Sequence, residues 1–326
     1  MRHKIPGKEE GDLARKRAIP DVNVFGKAWS EIKKINWHET NQLTQQNFHI
    51  GLVGSELDIA DMLHWLQCFP YHTKNPGKIS FVPADATQIK ECVARIIPEQ
   101  GELKGKMIQS CRFCIVASRY LDDVRKYKTD VYLFDPDNFS FLPAQILSNH
   151  QDIRFGLAYH FPVFRPKQAQ REIENTALQN AFWVLLAGLP QTMPNLQSTI
   201  TAPLELLTDF TVLTANEFKM MFGLTGIAGH QVRPLNRAPE FAFIIVMASI
   251  AQGLANSILN RIPLSMRLIA KAALAYAFTW AIGEVIFYRL TYRRRLDPAL
   301  FANTLRQRYV FGLEVAKEWA QNGGDS

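Results

Sequence analysis

Cysteine is scarce in this chain, which has only four cysteines in 326 residues. A disulfide framework is therefore not expected, and so few cysteines are typical of a protein in a reducing compartment. The N-terminal sequence MRHKIPGKEEGD also lacks the apolar run of a secretory signal. Together these absences predict that the chain begins in the cytoplasm.

A large excess of charge of one sign is also missing. The formal net charge is +7 and the isoelectric point is near 9.2. This modest basicity favours anionic lipid or nucleic acid without identifying either. Hydrophobic residues make up 47% of the chain and charged residues 21%, which excludes a disordered chain and allows two domains with sizeable cores.

A paired-cysteine metal or redox site is not expected, although Cys111 and Cys114 form a C-x-x-C sequence. The surrounding CRFCIVAS is typical of a strand. In a strand, side chains alternate between two faces, so positions three apart point in opposite directions. The spacing therefore predicts that the two thiols do not act together.

A phosphate-binding loop is absent where the sequence comes nearest to having one. NFHIGLVG, at 47–54, predicts a buried strand that ends in glycine, and LDIADMLHWLQC, at 57–68, predicts the helix that follows. Strand, glycine turn and helix are the setting of the G-x-x-x-x-G-K-[ST] loop. The positions that such a loop would use are Gly54, Ser55, Ile59, Ala60 and Asp61.

These positions lack the chemistry of nucleotide hydrolysis. Ala60 stands where lysine would contact the β- and γ-phosphates, and Asp61 stands where a hydroxyl would bind magnesium. Counting from Gly51 instead fails in the same way, and carboxylates at Glu56 and Asp58 would repel a triphosphate. The sequence predicts no GTP or ATP hydrolysis and nominates no catalytic residue, metal or cofactor, with GTP and magnesium disfavoured.

The next segments predict an open α/β sheet, because strand patterns alternate with helix patterns. The further predicted strands are 78–83, 112–117, 130–134 and 152–159, and the predicted helices between them are 87–97 and 120–128. The D-x-x-G and N-K-x-D motifs of GTPases do not follow these strands. The sequence DPDN, at 135–138, predicts a turn rather than a metal or nucleotide site.

From residue 166 the pattern becomes helical, and its strongest feature is a predicted αα-hairpin. Phe241–Leu259 and Pro263–Leu290 are apolar segments joined by a hinge at 260–263. Small residues recur on each, so the two helices are expected to pack closely. These residues are Ser249, Gly253 and Ser257 on the first segment and Ala273, Ala277 and Ala281 on the second. Leucine at Gly253 should separate the helices, whereas extra bulk at Ile244 should do little.

The hairpin has two interpretations. Phe241–Leu259 is 19 residues without a charge, a length of about 28 Å that reaches the lower edge of bilayer thickness. The second segment carries Arg267, Lys271 and Glu284, which argues for the buried core of a helical domain instead. The basic cluster after the hairpin supplies candidate membrane-surface residues. These residues are Arg293, Arg294 and Arg295.

The patterns divide the chain into an arm, two domains and a tail. The predicted parts are a flexible basic arm at 1–23, an α/β domain with an N-terminal docking helix at 24–165, a helical domain at 166–320 that contains the hairpin at 241–290, and a polar tail at 321–326. The helical domain ends with an amphipathic helix at 298–320.

Three runs in the helical part carry a family resemblance. TALQNAFWVLLAGLP, LTANEFKMM and IAKAALAYAFTWAIGE resemble the C-terminal helical domain of unknown function that follows the G domain in a group of bacterial Era-like GTPases. Upstream, FGKAWSEIKKIN and NFHIGLVG resemble the helix and first strand by which those proteins enter the G domain. The resemblance covers most of 24–290 and implies a P-loop-GTPase-like sheet with degenerate nucleotide motifs, as in a pseudo-GTPase.

Two functions are consistent with these observations. The first is a non-catalytic, GTPase-like scaffold or adaptor in the cytoplasm, whose helical domain associates with a membrane or a protein partner, including a second copy. The second is a nucleotide-binding switch or GTPase with a non-standard phosphate loop. Carboxylates without a lysine at the phosphate position favour the first. Nucleic acid is not an expected partner, because no recognition motif accompanies the basic residues.

Overall fold

The α/β part of the protein is built on one parallel sheet. The computed structural model describes residues 36–68, 92–98, 105–137, 139–188, 210–259 and 264–322. Within them the strands are β1 (Ile50–Val53), β2 (Val93–Ile96), β3 (Phe113–Ala117) and β4 (Asp130–Phe134). Their order is β2-β1-β3-β4, and every residue of the central strands β1 and β3 is buried. This burial is expected for a parallel sheet covered on both faces.

Helices follow the strands and then continue as a bundle. The helices of the α/β part are α1 (Trp37–Thr44), α2 (Glu56–Gln67), α3 (Gly105–Ser110), α4 (Leu121–Arg125), α5 (Leu142–Asn149) and α6 (Arg154–His160). The bundle helices are α7 (Arg165–Gly188), α8 (Phe210–Ile227), α9 (Ala238–Leu259), α10 (Leu264–Tyr292) and α11 (Pro298–Asn322). The predicted combination of an α/β sheet with an all-helical part is therefore confirmed.

Several predicted elements are confirmed almost to their ends. The strands predicted at 112–117 and 130–134 are β3 and β4, the helix predicted at 57–68 is α2, and the helix predicted at 298–320 is α11. The strand at 47–54 is shorter than predicted, because β1 covers only its last apolar residues. Continuous apolar runs and well-marked helix ends made these elements predictable.

Two predicted elements are wrong. The segment 152–159 was predicted as a strand but contains α6, in which four consecutive residues from Gly156 to Tyr159 are buried. A short apolar run does not distinguish a strand from a buried helix. The segment 87–97 was predicted as a helix, but its described part holds β2, which pairs in parallel with β1. That pairing is a long-range contact that local propensity does not reveal.

Some predictions lie outside the described residues. They are the basic arm at 1–23, the first part of the docking helix, the strand at 78–83, the hairpin hinge at 260–263 and the end of the tail.

The sheet and the helical bundle share one apolar core. Leu52 of β1, Leu147 of α5, Phe164 before α7, Phe218 of α8 and Ile286 of α10 all belong to the same cluster of buried residues. The smaller cluster around Cys114 and Val116 fills the other face of the sheet. The described residues therefore form a continuous interior from the sheet to the last helices, although the sequence suggested two domains.

Helix α1 ties the α/β part to the bundle. The Nδ2 of Asn41 donates to the carbonyl of Val232 at 3.2 Å, and the backbone N–H of Val232 donates to the Oδ1 of Asn41 at 3.0 Å. An ideal Cβ on Gly226 of α8 would lie only 2.7 Å from the Cγ2 of Thr44. The two helices therefore approach each other where glycine leaves room.

Helix α10 is the centre of the bundle. It packs most extensively against α11 and α7, and it also contacts α8 and α9. An ideal Cβ on Gly283 would lie 2.7 Å from Ile173 Cγ1 and 3.0 Å from the Met220 sulfur. Side chains of α7 and α8 therefore both pack closely against α10 at Gly283. The guanidinium of Arg308 lies 3.6 Å from the ring centroid of Trp280, which joins α11 to α10.

Candidate functional site

The crevice at the carboxyl end of the sheet is the first place to look for a ligand. The strand order reverses between β1 and β3, and ligands of open α/β proteins bind at such a switch point. Gly54 and Ser55 follow β1 there, and Arg119 follows β3. The turn at Gly54 and Ser55, where a phosphate-binding loop would begin, therefore lies in this crevice.

An aspartate of the protein occupies this turn. The backbone N–H and the Oγ of Ser55 both donate to Asp58 Oδ2, at 2.8 and 2.7 Å, and the backbone N–H of Asp58 donates back to Ser55 Oγ at 3.3 Å. This reciprocal capping box satisfies the first backbone groups of α2. The N-terminus of the helix is thus covered by its own carboxylate.

Arg119 completes the site by pairing with the same carboxylate. Its Nη2 lies 3.1 Å from Asp58 Oδ2. Burial alone would raise the pKa of Asp58, but the hydrogen bonds from Ser55 and the attraction of Arg119 outweigh burial and lower that pKa. The carboxyl group is therefore ionised at neutral pH, and it repels a phosphate from this helix end.

The positions assigned to a vestigial phosphate loop do not form a loop. The connection from β1 to α2 is only Gly54 and Ser55, because the capping box begins the helix at Glu56. Ile59 is buried in the core, while Ala60 and Asp61 are exposed on α2. This placement agrees with the helix predicted at 57–68, which leaves no residues to form a phosphate loop.

The C-x-x-C thiols lie together, contrary to prediction. Cys111 precedes the first strand residue, Phe113, so strand alternation does not apply to it. An ideal Cβ on Gly51 would lie 2.6 Å from the Cys114 sulfur and 3.3 Å from the Cys111 sulfur. A thiol–thiol hydrogen bond lowers the pKa of Cys111, whereas the same bond and burial raise the pKa of Cys114. No group of three or more His, Cys, Asp and Glu able to hold a metal occurs among the described residues.

The predicted face-to-face packing of small residues in the hairpin is wrong. Gly253 is exposed, and a Cβ added there would meet no atom within 4 Å. Ile244, predicted to point outward, is fully buried. The Ser249 hydroxyl donates to the Ile245 carbonyl of its own helix at 2.9 Å. The side chain of Ser257 lies outside the described residues.

Ala273, on the small face of α10, packs against α11 instead. Ala273, Ala277 and Ala281 are all fully buried. A Cβ on Gly312 of α11 would lie 2.9 Å from the Ala273 carbonyl oxygen and 3.2 Å from its Cα. Small residues do permit a close approach of helices here, as the sequence indicated. Periodicity identified the small face correctly but assigned Ala273 to the wrong partner helix.

Helix α9 carries an apolar face that no described residue covers. Val246, Ile250 and Leu254 are 45%, 44% and 40% exposed. They continue a row of exposed residues spaced three or four apart, which we call the α9 outer stripe. The stripe consists of Leu235, Pro239, Ala242, Val246, Ile250 and Leu254. From Pro239 to Leu254 it is about 22 Å long.

The two hairpin helices differ in their environment. Among the described residues, two segments are long and apolar enough to cross a membrane by length and composition, Pro234–Leu254 and Met266–Tyr292. In the second segment 78% of the apolar 18-residue window is buried in the bundle, whereas in the first segment only 28% of the window is buried. Thus α10 is a core helix, whereas α9 lies on the surface with apolar residues outward.

A cavity rich in arginine lies at the N-terminal end of the stripe. It has a volume of about 230 Å³, and its wall includes His230, Arg237, Glu240, Arg289, Arg293 and Arg294. The Nε of Arg289 donates to Glu240 Oε1 at 2.7 Å, which shows that α10 runs antiparallel to α9. Of the three candidate membrane-surface arginines, this structure brings Arg293 and Arg294 to the cavity, and Arg295 is exposed outside its wall.

A buried polar network was not identified from the sequence. The Nδ2 of Asn216 donates to Asn180 Oδ1 at 2.8 Å, and Asn180 Nδ2 donates to Thr279 Oγ1 at 2.9 Å. Thr279 in turn donates to Glu217 Oε1 at 3.3 Å. These residues come from the three runs that carry the family resemblance. The signal in the sequence that could have indicated this network was Glu217, a charged residue within the apolar run LTANEFKMM.

Comparisons of this chain with protein-family models, with curated proteins and with solved structures find no match.

Proposed function

We propose that this protein is a non-catalytic scaffold that attaches to a membrane through the α9 outer stripe. In this proposal the α/β part is a degenerate, G-domain-like framework, and the protein works in the cytoplasm at the membrane surface. The exposed row of Val246, Ile250 and Leu254 is the observation that carries the proposal. Contiguous apolar surface on a folded protein marks an interaction site with a membrane or another protein.

The arrangement of charge supports a membrane as the partner. Four arginines lie around the N-terminal end of the stripe, in the wall of the cavity. Apolar residues beside basic residues are typical of helices that lie in the membrane interface.

The binding free energies indicate that membrane attachment needs both the apolar stripe and the arginines. Full burial of a Val, Ile or Leu side chain is worth about 1.5–3 kcal/mol, so covering the exposed part of each is worth about 1 kcal/mol. Val246, Ile250 and Leu254 then supply about 3 kcal/mol together, which is weak binding. Each arginine near an anionic membrane surface adds about 1 kcal/mol. We therefore expect binding to anionic membranes and little binding to neutral ones.

The Asp58 site supports the non-catalytic part of the proposal. An ionised carboxylate with three hydrogen bonds from Ser55 and Arg119 stands where a nucleotide phosphate would need donors. Lysine and a magnesium-binding hydroxyl are missing from α2. Saturable, magnesium-dependent hydrolysis of GTP by the purified protein would contradict this part and favour the nucleotide-switch alternative.

Charge placed on the stripe tests the membrane proposal. Ile250→Asp puts a carboxylate at the centre of the stripe, where binding would bury it, so sedimentation with anionic vesicles should fall at least tenfold. Val310→Asp is the matched control, since Val310 is an apolar residue, 60% exposed, on α11 and not on the helix that carries the stripe. It should keep wild-type binding and thermal stability.

Two results would overturn the membrane proposal. One is an equal loss of vesicle binding by Ile250→Asp and Val310→Asp, which would mean that a negative charge anywhere on the surface weakens binding. The other is a wild-type protein that ignores vesicles but forms a complex or dimer that Ile250→Asp disrupts. That second result would assign the stripe to a protein partner.

A further inference from the structure

The cavity at the base of α9 and α10 has an unbalanced charge. Its wall contains the guanidinium groups of Arg237, Arg289, Arg293 and Arg294 but only one carboxylate, that of Glu240. The wall therefore holds a formal excess of three positive charges. Burial lowers the pKa of His230, and the nearby arginines lower it further, so His230 does not add a fourth at neutral pH.

The carboxylate of Glu240 neutralises only part of this charge. Its Oε1 lies 2.7 Å from Arg289 Nε and 4.0 Å from Arg237 Nη1. Arg237 Nε is buried and has no acceptor among the described residues. The guanidinium of Arg294 donates from Nη1 to the Tyr288 hydroxyl at 3.4 Å, and the Arg294 carbonyl accepts from the Arg289 guanidinium at 3.2 Å. Arg293 and Arg294 are exposed, so their guanidinium groups remain available to an anion.

The backbone places two of these arginines on the rim. Arg293 has φ of +52° and is the only non-glycine residue with positive φ among the described residues. This left-handed conformation is uncommon for residues other than glycine and asparagine, and such outliers concentrate at functional sites. The turn ends α10 and sets Arg293 and Arg294 beside Arg289 at the start of the stripe.

We propose that the arginine cavity binds a phosphate monoester, namely the head group of an anionic lipid in the membrane on which α9 lies. Arginine forks donate two parallel hydrogen bonds to phosphate oxygens, which single cations do not. A phosphate monoester carries about −1.5 to −2 charges near pH 7 and so matches the excess charge better than a diester. The lipid source rests on the proposed membrane attachment, but the phosphate chemistry of the cavity does not.

Vesicles of matched charge test the head-group preference. Phosphatidylcholine vesicles would contain either phosphatidic acid, a monoester, or enough phosphatidylserine to give the same surface potential. Wild-type protein should prefer the phosphatidic acid vesicles by roughly tenfold, the gain expected from one charge-assisted hydrogen-bonding pair. The double variant Arg293→Asn, Arg294→Gln should lose this preference. Asparagine is chosen because it tolerates the left-handed backbone.

Arg295→Gln is the control for charge outside the cavity: it removes one charge, against two in the double variant, one residue away from the cavity wall. It should lower binding to both vesicles equally and keep the preference for phosphatidic acid. If Arg295→Gln abolishes the preference as fully as the double variant, general surface charge is responsible and the cavity proposal is overturned. Equal wild-type binding to both vesicles overturns the head-group assignment.

Inorganic phosphate separates failure of the cavity from failure of the membrane proposal. Millimolar phosphate should raise the melting temperature of wild type and of Arg295→Gln relative to sulfate-free chloride buffer of equal ionic strength. The double variant should show no such rise. If wild type binds no vesicles yet shows this rise, the cavity takes free phosphate and the lipid source is wrong. If wild type shows neither effect, the cavity proposal itself is overturned.

Discussion

Glu217 shows how one residue in an apolar bundle becomes sensitive to pH. It is 5% exposed, and its Oε2 has no hydrogen-bond partner among the described residues. Burial raises the pKa of Glu217 to about 8, and the hydrogen bond from Thr279 opposes this rise only in part. Near neutral pH the carboxyl group is therefore largely protonated in the folded protein and ionised in the unfolded chain.

Glu217→Gln should flatten the dependence of stability on pH. From pH 4.5, the ordinary pKa, to about 8, the folded state keeps a proton that the unfolded state has released. The free energy of unfolding of wild type therefore falls as pH rises, by up to about 1.4 kcal/mol per pH unit. Glutamine does not ionise, and its carbonyl still accepts from Thr279. The variant should gain stability over wild type across this window, measured by urea unfolding.

The control for this prediction is Glu314→Gln, which changes an exposed glutamate on α11. Its pH profile should run parallel to that of wild type. Burial raises the pKa of Glu172 as well, so the difference between profiles, and not the wild-type slope alone, identifies Glu217. A Glu217→Gln profile parallel to wild type would show that Glu217 is not a buried acid.

At the scale of elements, α10 is apolar on nearly all sides because it has neighbours on nearly all sides. Helices α7, α8, α9 and α11 surround it. A helix that is hydrophobic all round is either a membrane span or the centre of a large core. The length and hydropathy of α10 are consistent with a membrane span and with a core helix. Only the helices packed around it identify it as a core helix. Helix α9 has the same kind of composition but packs on one side.

Valine at Gly312 should destabilise the protein, whereas valine at Gly253 should not. A Cβ at Gly312 would lie 2.9 Å from a backbone oxygen of α10, so α10 and α11 must separate to accommodate it. Overpacking of this kind costs on the order of 1–3 kcal/mol. Gly253 faces open space, and valine there has better helix propensity than glycine. Chemical denaturation measures both; equal stabilities would mean that α11 does not approach α10 at Gly312.

At the scale of the whole molecule, the α/β part and the bundle depend on each other. Buried residues of β1, α5, α8 and α10 belong to one apolar cluster. The paired hydrogen bonds between Asn41 and Val232 span 191 positions of the sequence. Because the larger core is shared between the two parts, we expect neither to be stable alone.

The full chain should therefore unfold in one cooperative transition. Calorimetry should give a single peak whose calorimetric and van't Hoff enthalpies agree. Asn41→Ala would leave the buried Val232 N–H without its acceptor and should cost about 1–3 kcal/mol. That variant should shift the single peak to lower temperature without splitting it. Two resolved peaks in wild type would indicate two independent domains, as the sequence pattern suggested.

The sequence by itself determined the elements whose causes are local. Apolar strand runs predicted β3 and β4, and helical periodicity predicted α2 and α11. It also showed that lysine and a magnesium-binding hydroxyl are missing near Gly54. These features depend on residues close together in the chain.

Only the tertiary structure decided which surfaces meet. It placed β2 beside β1, turned 152–159 into a helix, and brought the Cys111 and Cys114 thiols together. It paired Ala273 of α10 with Gly312 and left Gly253 in solvent. The same packing exposed the α9 outer stripe and gathered arginines from three segments into one cavity. Periodicity defines a helix face, but the neighbour that covers it depends on long-range contacts that a local pattern does not contain.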